Sequence, residues 1–242
     1  MHVHAMESGF DRLPWDSDLF GFPVARLTSP DVPRAVARMR DAGVRLAYAS
    51  VAFVDQDARA KLDAAGGLLV DRKLRFRKEP DAATLRPNGV ASWEGKRCTP
   101  QLEALAIASG HLSRFRVDPN VQSDIFEMLY VTWMRRSVSR EIADEVLAIE
   151  DCGIPTAMVT LAQPDPSQNM GNIGLIAVAD GFRGRGYGRR LILAAEAWCV
   201  GRGITTLEVV TQGRNAGACA LYTSSGFREV ADDAIYHLWI EP

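Results

Sequence analysis

The sequence predicts an α/β (α+β) fold: a mixed sheet flanked by helices, preceded by a smaller α/β unit. Three observations carry this. Segments of strand and helix character alternate along the chain, in the order β-α-α-β-β-β-α-β-α-β-β through its larger part. A stretch without apolar periodicity, residues 79–98 (EPDAATLRPNGVASWEGKRC), separates that part from a shorter one before it. Near residue 180 an apolar strand runs straight into a glycine-rich turn and then an amphipathic helix.

The bulk properties fit this class. The chain has 242 residues, 47% hydrophobic and 24% charged, enough apolar material for one large core or two small ones. With 28 basic against 30 acidic residues the net charge is −2, so a chain-wide field for nucleic acid is excluded and only a local basic site remains open. Cys98, Cys152, Cys199 and Cys219 form no CxxC pair, which argues against a disulfide framework or a zinc site and predicts a reducing, cytoplasmic setting. No metal is expected. The longest nearly apolar run, Leu191–Val200, contains Glu196 and falls far short of the roughly 20 residues a membrane helix needs. The first residues, MHVHAMESGFDR, show no signal-peptide pattern. Arginine supplies 24 of the positive charges and lysine 4, at 61, 73, 78 and 96, a bias of genome type with room for bidentate phosphate binding.

The elements follow in order. Leu13–Leu27, rich in aromatics and carrying Asp16 and Asp18, reads as a strand and turn covering the small sheet. Ser29 with Pro30 opens a helix that Gly43 stops. Val44–Val54 reads as a strand, Gln56–Ala65 as a short helix and Leu68–Arg77 as a strand. Thr99 and Pro100 open a helix to about Gly110. Asn120–Ser139 is a second helix, with Phe126, Leu129, Tyr130 and Trp133 at spacings of three and four. Val146–Glu150 and Pro155–Gln163 flank a DCG turn as a hairpin. Asn172–Ala179 is a strongly apolar strand, and the helix after Gly188 runs to about Arg202. Thr206–Thr211 is a strand, Ala216–Ser225 a helix, and Phe227–Val230 and Ile235–Ile240 two closing strands. The expected domains are residues 1–85 and 86–242.

Chemistry concentrates in two places. The segment 183–188, R-G-R-G-Y-G, opens a helix. Glycines let the backbone turn tightly and approach a ligand, and the helix start offers unpaired N–H groups with partial positive charge. That makes an anion site, suited to a pyrophosphate, with Arg183, Arg185, Arg189 and Arg190 nearby. There is no GK[ST], and the spacing is G-x-G-x-G rather than G-x-G-x-x-G, so neither a P-loop nor a dinucleotide fold fits. Downstream, 215-NAGACALYTSSGF-227 places Asn215 as a helix cap and Tyr222 two turns on, along one face. Taken singly, the turn is also an ordinary left-handed turn and Tyr222 an ordinary core tyrosine.

Taken together and in order, the two motifs resemble the acyl-CoA site of the GCN5-related N-acetyltransferases (GNAT), over roughly residues 99–240. The resemblance implies a GNAT fold, with a mixed sheet of splayed strands behind a truncated GNAT-like first domain. It implies acetyl-CoA as co-substrate, held by Ile176, Ala177 and Val178, by Arg183, Gly184, Arg185, Gly186, Tyr187, Gly188 and Arg189, and by Asn215 and Tyr222. Backbone N–H groups near Ile176–Val178 would receive the tetrahedral oxyanion, and Tyr222 would protonate the departing thiolate.

The segments LPWDSDLFGFPVARL, GGLLVDRKLRF and HLSRFRVDP are similar to the dTDP-fucosamine acetyltransferases and related enzymes of nucleotide-linked amino sugars. This implies transfer in a ternary complex to the amine of a dTDP-4-amino-4,6-dideoxyhexose. Ser113, Arg114 and Arg116 would hold its phosphates, and Phe115 or Trp15 would pack on base or sugar. Asp71, in LLVD, matches a position that relays the amine proton through water; it is equally a surface-turn aspartate. Glu208 is a second candidate base if it faces the cleft, and otherwise a sheet charge. None of His2, His4, His111 and His237 lies in a motif. Dimers through the C-terminal strands are common in this superfamily. The competing readings are a GNAT enzyme for another amine (antibiotic, polyamine or protein N-terminus) and a catalytically silent acyl-CoA-binding module. Nucleic-acid binding through RGRGYGRR is disfavoured by the net acidic chain.

Overall fold

The structure is a computed structural model that describes residues 9–94 and 97–241. Its strands are β1 (Phe10–Arg12), β2 (Val24–Leu27), β3 (Leu46–Ala52), β4 (Leu68–Lys78), β5 (Ala91–Ser92), β6 (Glu145–Asp151), β7 (Ile154–Ala162), β8 (Met170–Val178), β9 (Thr206–Gln212) and β10 (Arg228–Trp239). Its helices are α1 (Pro14–Phe20), α2 (Val32–Asp41), α3 (Gln56–Ala64), α4 (Pro100–Ser109), α5 (Arg114–Val117), α6 (Ser123–Val138), α7 (Tyr187–Gly201) and α8 (Ala216–Ser224).

The chain forms two compact units. The first draws on the described parts of Met1–Lys73, Ser113–Ile125 and Ala231–Pro242, and the second on Leu74–Leu112 and Phe126–Val230. They interleave along the chain, whereas the expected domains 1–85 and 86–242 follow one another.

In the first unit the strand order is β1-β2-β3-β10-β4. β2 runs parallel to β3, and β10 pairs antiparallel with β3 from Asp233↔Ala52 to Trp239↔Leu46. Val32, Ala35 and Met39 of α2 bury against this sheet with Ala47, Ala49, Leu62, Tyr236 and Leu238.

Three local expectations need correction here. The opening aromatic segment holds a helix, α1: Pro14 pre-sets its first turn, and Gly21, at φ +72°, ends it. α2 is capped by Asp31, whose carboxylate accepts from Arg34 N at 3.2 Å, while Ser29 Oγ accepts from Asp31 N. The two closing strands are one, β10. Residues 231–234 stay extended through it because Asp233 and Ala234 continue the pairing with β3.

In the second unit the order is β4-β9-β8-β7-β6-β5. β6, β7 and β8 form an antiparallel meander and β9 joins β8 in parallel. α7 buries Leu191, Ile192, Ala194, Ala195, Trp198 and Cys199 against Leu147, Val159, Leu161, Leu207 and Val209. Caps fall where the sequence places them: Thr99 Oγ1 accepts from Leu102 N at 3.3 Å, and Asn215 Oδ1 from Ala218 N at 3.1 Å. In the first unit, the segment from Ser113, expected as loop, forms the single helical turn α5.

Candidate active site

The second unit assembles its site where two strands part. β8 pairs with β9 only from Met170↔Thr206 to Ile173↔Val209. On its other edge β8 stays paired with β7 as far as Ala157↔Val178. Between these lies a bulge: Val159 faces Ile176 and Leu161 faces Ile173, so Gly174 and Leu175 both oppose Thr160. Thr160 Oγ1 accepts from Leu175 N at 2.8 Å, and a Cβ on Gly174 would lie 2.8 Å from that oxygen. Glycine is therefore required where the strand bends.

The bend decides where the backbone donors point. Ala179 N donates to Thr156 O at 2.8 Å. By antiparallel alternation, Ala177 N–H then faces β7, while the N–H groups of Ile176 and Val178 face away from it, on the edge that β9 has left. Of the expected trio, Ile176 and Val178 thus present donors and Ala177 contributes packing.

β8 leads through a 3₁₀ turn, Asp180–Phe182, to the start of α7. Gly184 and Gly186 stand at φ +76° and +77°. That left-handed conformation favours glycine, and a Cβ at either position would meet nothing within 4 Å, so the turn faces open space. Gly186 is the N-cap of α7 and gives no side-chain cap, leaving the first-turn N–H groups for an anion. Arg183 pairs with Asp180 at 2.9 Å and reaches Val178 O at 3.3 Å. Arg185 lies over Phe182, Arg190 over Tyr187, and the two rings stack at 6.0 Å. Arg190 also donates to Asn88 O. Arg189 is exposed.

α7 packs closely on α8: a Cβ on Gly188 would come within 3.1 Å of Leu221 Cδ2. The next residue, Tyr222, is 2% exposed, with the rings of Phe76 and Phe227 each 5.7 Å away. Burial pushes its phenol pKa above the ordinary value of 10.0, so the hydroxyl keeps its proton at neutral pH. The glycine turn, the outward N–H groups on β8, and the Asn215–Tyr222 helix therefore belong to one unit. Glu208 is held in ion pairs and is not left as a free carboxylate. It is 8% exposed and paired with Arg77 at 2.7 Å and Arg75 at 3.7 Å.

The remaining expected residues belong to the first unit. Asp71 is buried in β4 and is not a surface-turn residue. Trp15 stands half-buried on α1. Ser113 and Phe115 are 3% and 5% exposed, and Arg114 lies over the rings of Tyr48 (4.2 Å) and Phe115 (4.6 Å).

Sequence reasoning missed the polar group beneath this turn. Asp118 Oδ2 binds His237 Nδ1 at 2.6 Å and accepts from Trp239 Nε1 at 2.9 Å, and Asn120 N donates to Asp118 Oδ1 at 2.9 Å. Tyr48 packs 5.0 Å from the imidazole and donates to Asp16 Oδ1 at 3.1 Å. The available signal was an aspartate directly after the SRFRV segment and a histidine inside an apolar strand. Among the described residues no group of three or more His, Cys, Asp or Glu side chains is placed to hold a metal, and no helix is long and apolar enough to cross a membrane.

Comparison with known proteins matches residues 109–227 to the acetyltransferase (GNAT) family. Curated relatives include mycothiol acetyltransferases. That of Beutenbergia cavernae is 35% identical over 88 residues, 36% of this chain and 30% of the relative. That of Tsukamurella paurometabola is 37% identical over 65 residues, 27% and 22% of the two chains. The chain thus spans less than a third of the length of these relatives. Among solved structures, a GCN5-related N-acetyltransferase from Sphaerobacter thermophilus superposes with TM-score 0.57 at 15% identity, covering 91% of this chain and 73% of that one. A tandem GNAT protein from the clavulanic acid biosynthesis pathway gives 0.57 at 14%, covering 92% and 77%. These likenesses show the fold: a GNAT fold, α/β with a mixed sheet flanked by helices.

Proposed function

We propose that this chain, whose residues 109–227 match the acetyltransferase (GNAT) family, transfers an acetyl group from acetyl-CoA to the amine of a small acceptor. The observation that carries this reading is the parting of β8 from β9 at Ile173, beside the left-handed turn at Gly184 and Gly186. The turn and the start of α7 suit the CoA pyrophosphate, with Arg183, Arg185, Tyr187, Gly188 and Arg189 around it. Asn215 suits the pantetheine arm. In the reaction the amine attacks the thioester carbonyl in a ternary complex. The N–H groups of Ile176 and Val178 receive the oxyanion, Tyr222 protonates the leaving thiolate, and Asp71 takes the amine proton through water.

For the acceptor we propose a nucleotide-linked amino sugar of the dTDP-4-amino-4,6-dideoxyhexose type. Arg114, oriented on two ring faces, offers the diphosphate a planar fork, and Trp15 offers the base or sugar an apolar surface. Phe115, buried under the Arg114 guanidinium, supports it from within the core, and Ser113, 3% exposed, is too buried to meet a phosphate without rearrangement. The curated relatives favour a second reading, an acceptor of the mycothiol class. A cytoplasmic site of action and a homodimer belong to the same proposal; β10 lies between β3 and β4, so the expected contact through the C-terminal strands has no free strand edge to use.

The test is thiol release from acetyl-CoA across a panel of nucleotide-linked amino sugars, mycothiol-class amines, polyamines and peptides. Saturable turnover on the first group, with Arg114→Ala raising the acceptor KM and leaving that for acetyl-CoA unchanged, supports the proposal. Turnover on mycothiol-class amines alone selects the second reading. Turnover confined to polyamines or peptides overturns both.

A further inference from the structure

Residues 74, 76 and 78 of β4 lie on one face of the strand. Leu74 and Phe76 are buried in the core of the second unit, so an apolar side chain is expected at 78. The residue there is Lys78. The apolar stretch of α7 likewise carries one charge, Glu196, which is 2% exposed. These two exceptions meet: Lys78 Nζ lies 2.8 Å from Glu196 Oε1, with the lysine side chain 14% exposed. The ammonium also donates to Ser225 O at 2.9 Å, at the C-cap of α8, and lies over the ring of Phe227.

The contact with Ser225 O gives the pair a purpose beyond filling space. Buried ion pairs contribute little net stability compared with apolar residues of similar volume, so their presence calls for another reason. Ser225 N and Phe227 N both donate to Tyr222 O, and Gly226 N donates to Thr223 O. The turn that ends α8 is thus built on the backbone of Tyr222. Lys78 holds that turn from β4, and Glu196 holds Lys78 from α7, the helix whose first turn follows Gly186. Phe76, two residues before Lys78, packs on the Tyr222 ring.

We propose that Lys78 and Glu196 are positioning residues that fix the Tyr222 hydroxyl relative to the start of α7, and so relative to the bound thioester. This rests on the reading of Tyr222 as the proton donor to the leaving thiolate. Neither residue touches substrate. Both act through the α8 C-terminal turn.

The paired replacement Lys78→Met/Glu196→Leu removes both charges at similar volume. It is expected to melt near the wild-type temperature, because no buried charge is stranded. It is also expected to lower kcat about ten- to a hundredfold, the effect of a displacement on the order of 1 Å, with the KM for acetyl-CoA little changed. Amide hydrogen exchange at Ser225, Gly226 and Phe227 is expected to quicken. Lys78→Gln, with a shorter arm, is a second variant with the same expected kcat and exchange changes. A folded variant with wild-type kcat and wild-type exchange at these amides overturns the proposal. If the wild-type protein turns over no amine, the transferase reading falls, and exchange at the same three amides still decides whether Lys78 holds the turn.

Discussion

A carboxylate is buried in each of the two units, and the two are compensated in different ways. In the second unit Glu196 meets the ammonium of Lys78, a single flexible arm that also reaches a helix end. In the first unit Asp118 is bound by the ring nitrogens of His237 and Trp239 and by the backbone of Asn120. Burial lowers the His237 pKa below its ordinary 6.5 despite the opposing bond to Asp118, so the ring is neutral at pH 7. Burial pushes the Asp118 carboxyl up, but the bonds from His237, Asn120 and Trp239 outweigh it and hold the group below its ordinary 3.8. One device is an ion pair between a strand of the sheet and a helix packed on that sheet. The other is a hydrogen-bonded carboxylate that fastens a single helical turn, α5, to the last strand. In both a polar residue interrupts an apolar run, Glu196 in α7 and His237 in β10, and both hold the end of a helix that carries a proposed functional side chain.

The sharpest way to break the comparison is to strand one charge. Lys78→Met alone leaves Glu196 buried without its cation, and a loss of about 3–5 kcal/mol is expected from urea unfolding. A loss under about 1 kcal/mol would mean that water reaches Glu196. Asp118→Ala strands the His237 and Trp239 donors instead, at about 1–3 kcal/mol for each group left unsatisfied. The same unfolding measurement ranks the two sites.

The smallest effect is the most specific. His237 has a lowered pKa in the fold, so the unfolded chain binds the extra proton more readily. Its contribution to stability is present above pH 6.5 and declines as pH falls through that value. Asp118, also lowered, adds its loss only as pH falls below about 3.8. Melting temperature should therefore begin to fall just below pH 6.5 in the wild type. His237→Asn should delay that onset toward the carboxylate range. An unchanged profile in the variant would show that the imidazole is not the titrating group.

Much of this architecture can be read locally. The caps Thr99 and Asn215, the β6–β7 hairpin, the apolar strand β8 and the glycine pair at 184 and 186 follow from nearest neighbours in sequence. Most of what escapes depends on distant partners, α1 being the local exception. α1 was hidden because aromatic density resembles a strand until Pro14 and Gly21 are weighed as helix start and stop. Glu208 is neutralised by Arg75 and Arg77, over 130 residues earlier, so no local pattern shows whether it is an available base. Asp118 and His237 are likewise 119 positions apart. The membership of Ser113–Ile125 and Ala231–Pro242 in the first unit comes from such pairings, which a reading by order of composition divides at residue 85. The arginine excess was similarly ambiguous in bulk. In the fold, Arg183, Arg185 and Arg190 each have a defined contact near the start of α7.

The central claim is that Tyr222 delivers a proton to a CoA thiolate in amine-dependent acetyl transfer. Its most direct test is amine-dependent thiol release from acetyl-CoA by the wild-type protein and by Tyr222→Phe, measured side by side at neutral pH. Saturable release by the wild type and a fall in kcat of about 10²–10⁴ in the variant, with acetyl-CoA still bound, are the predicted results. Full activity in Tyr222→Phe, or no amine-dependent release by the wild type on any acceptor, would contradict it.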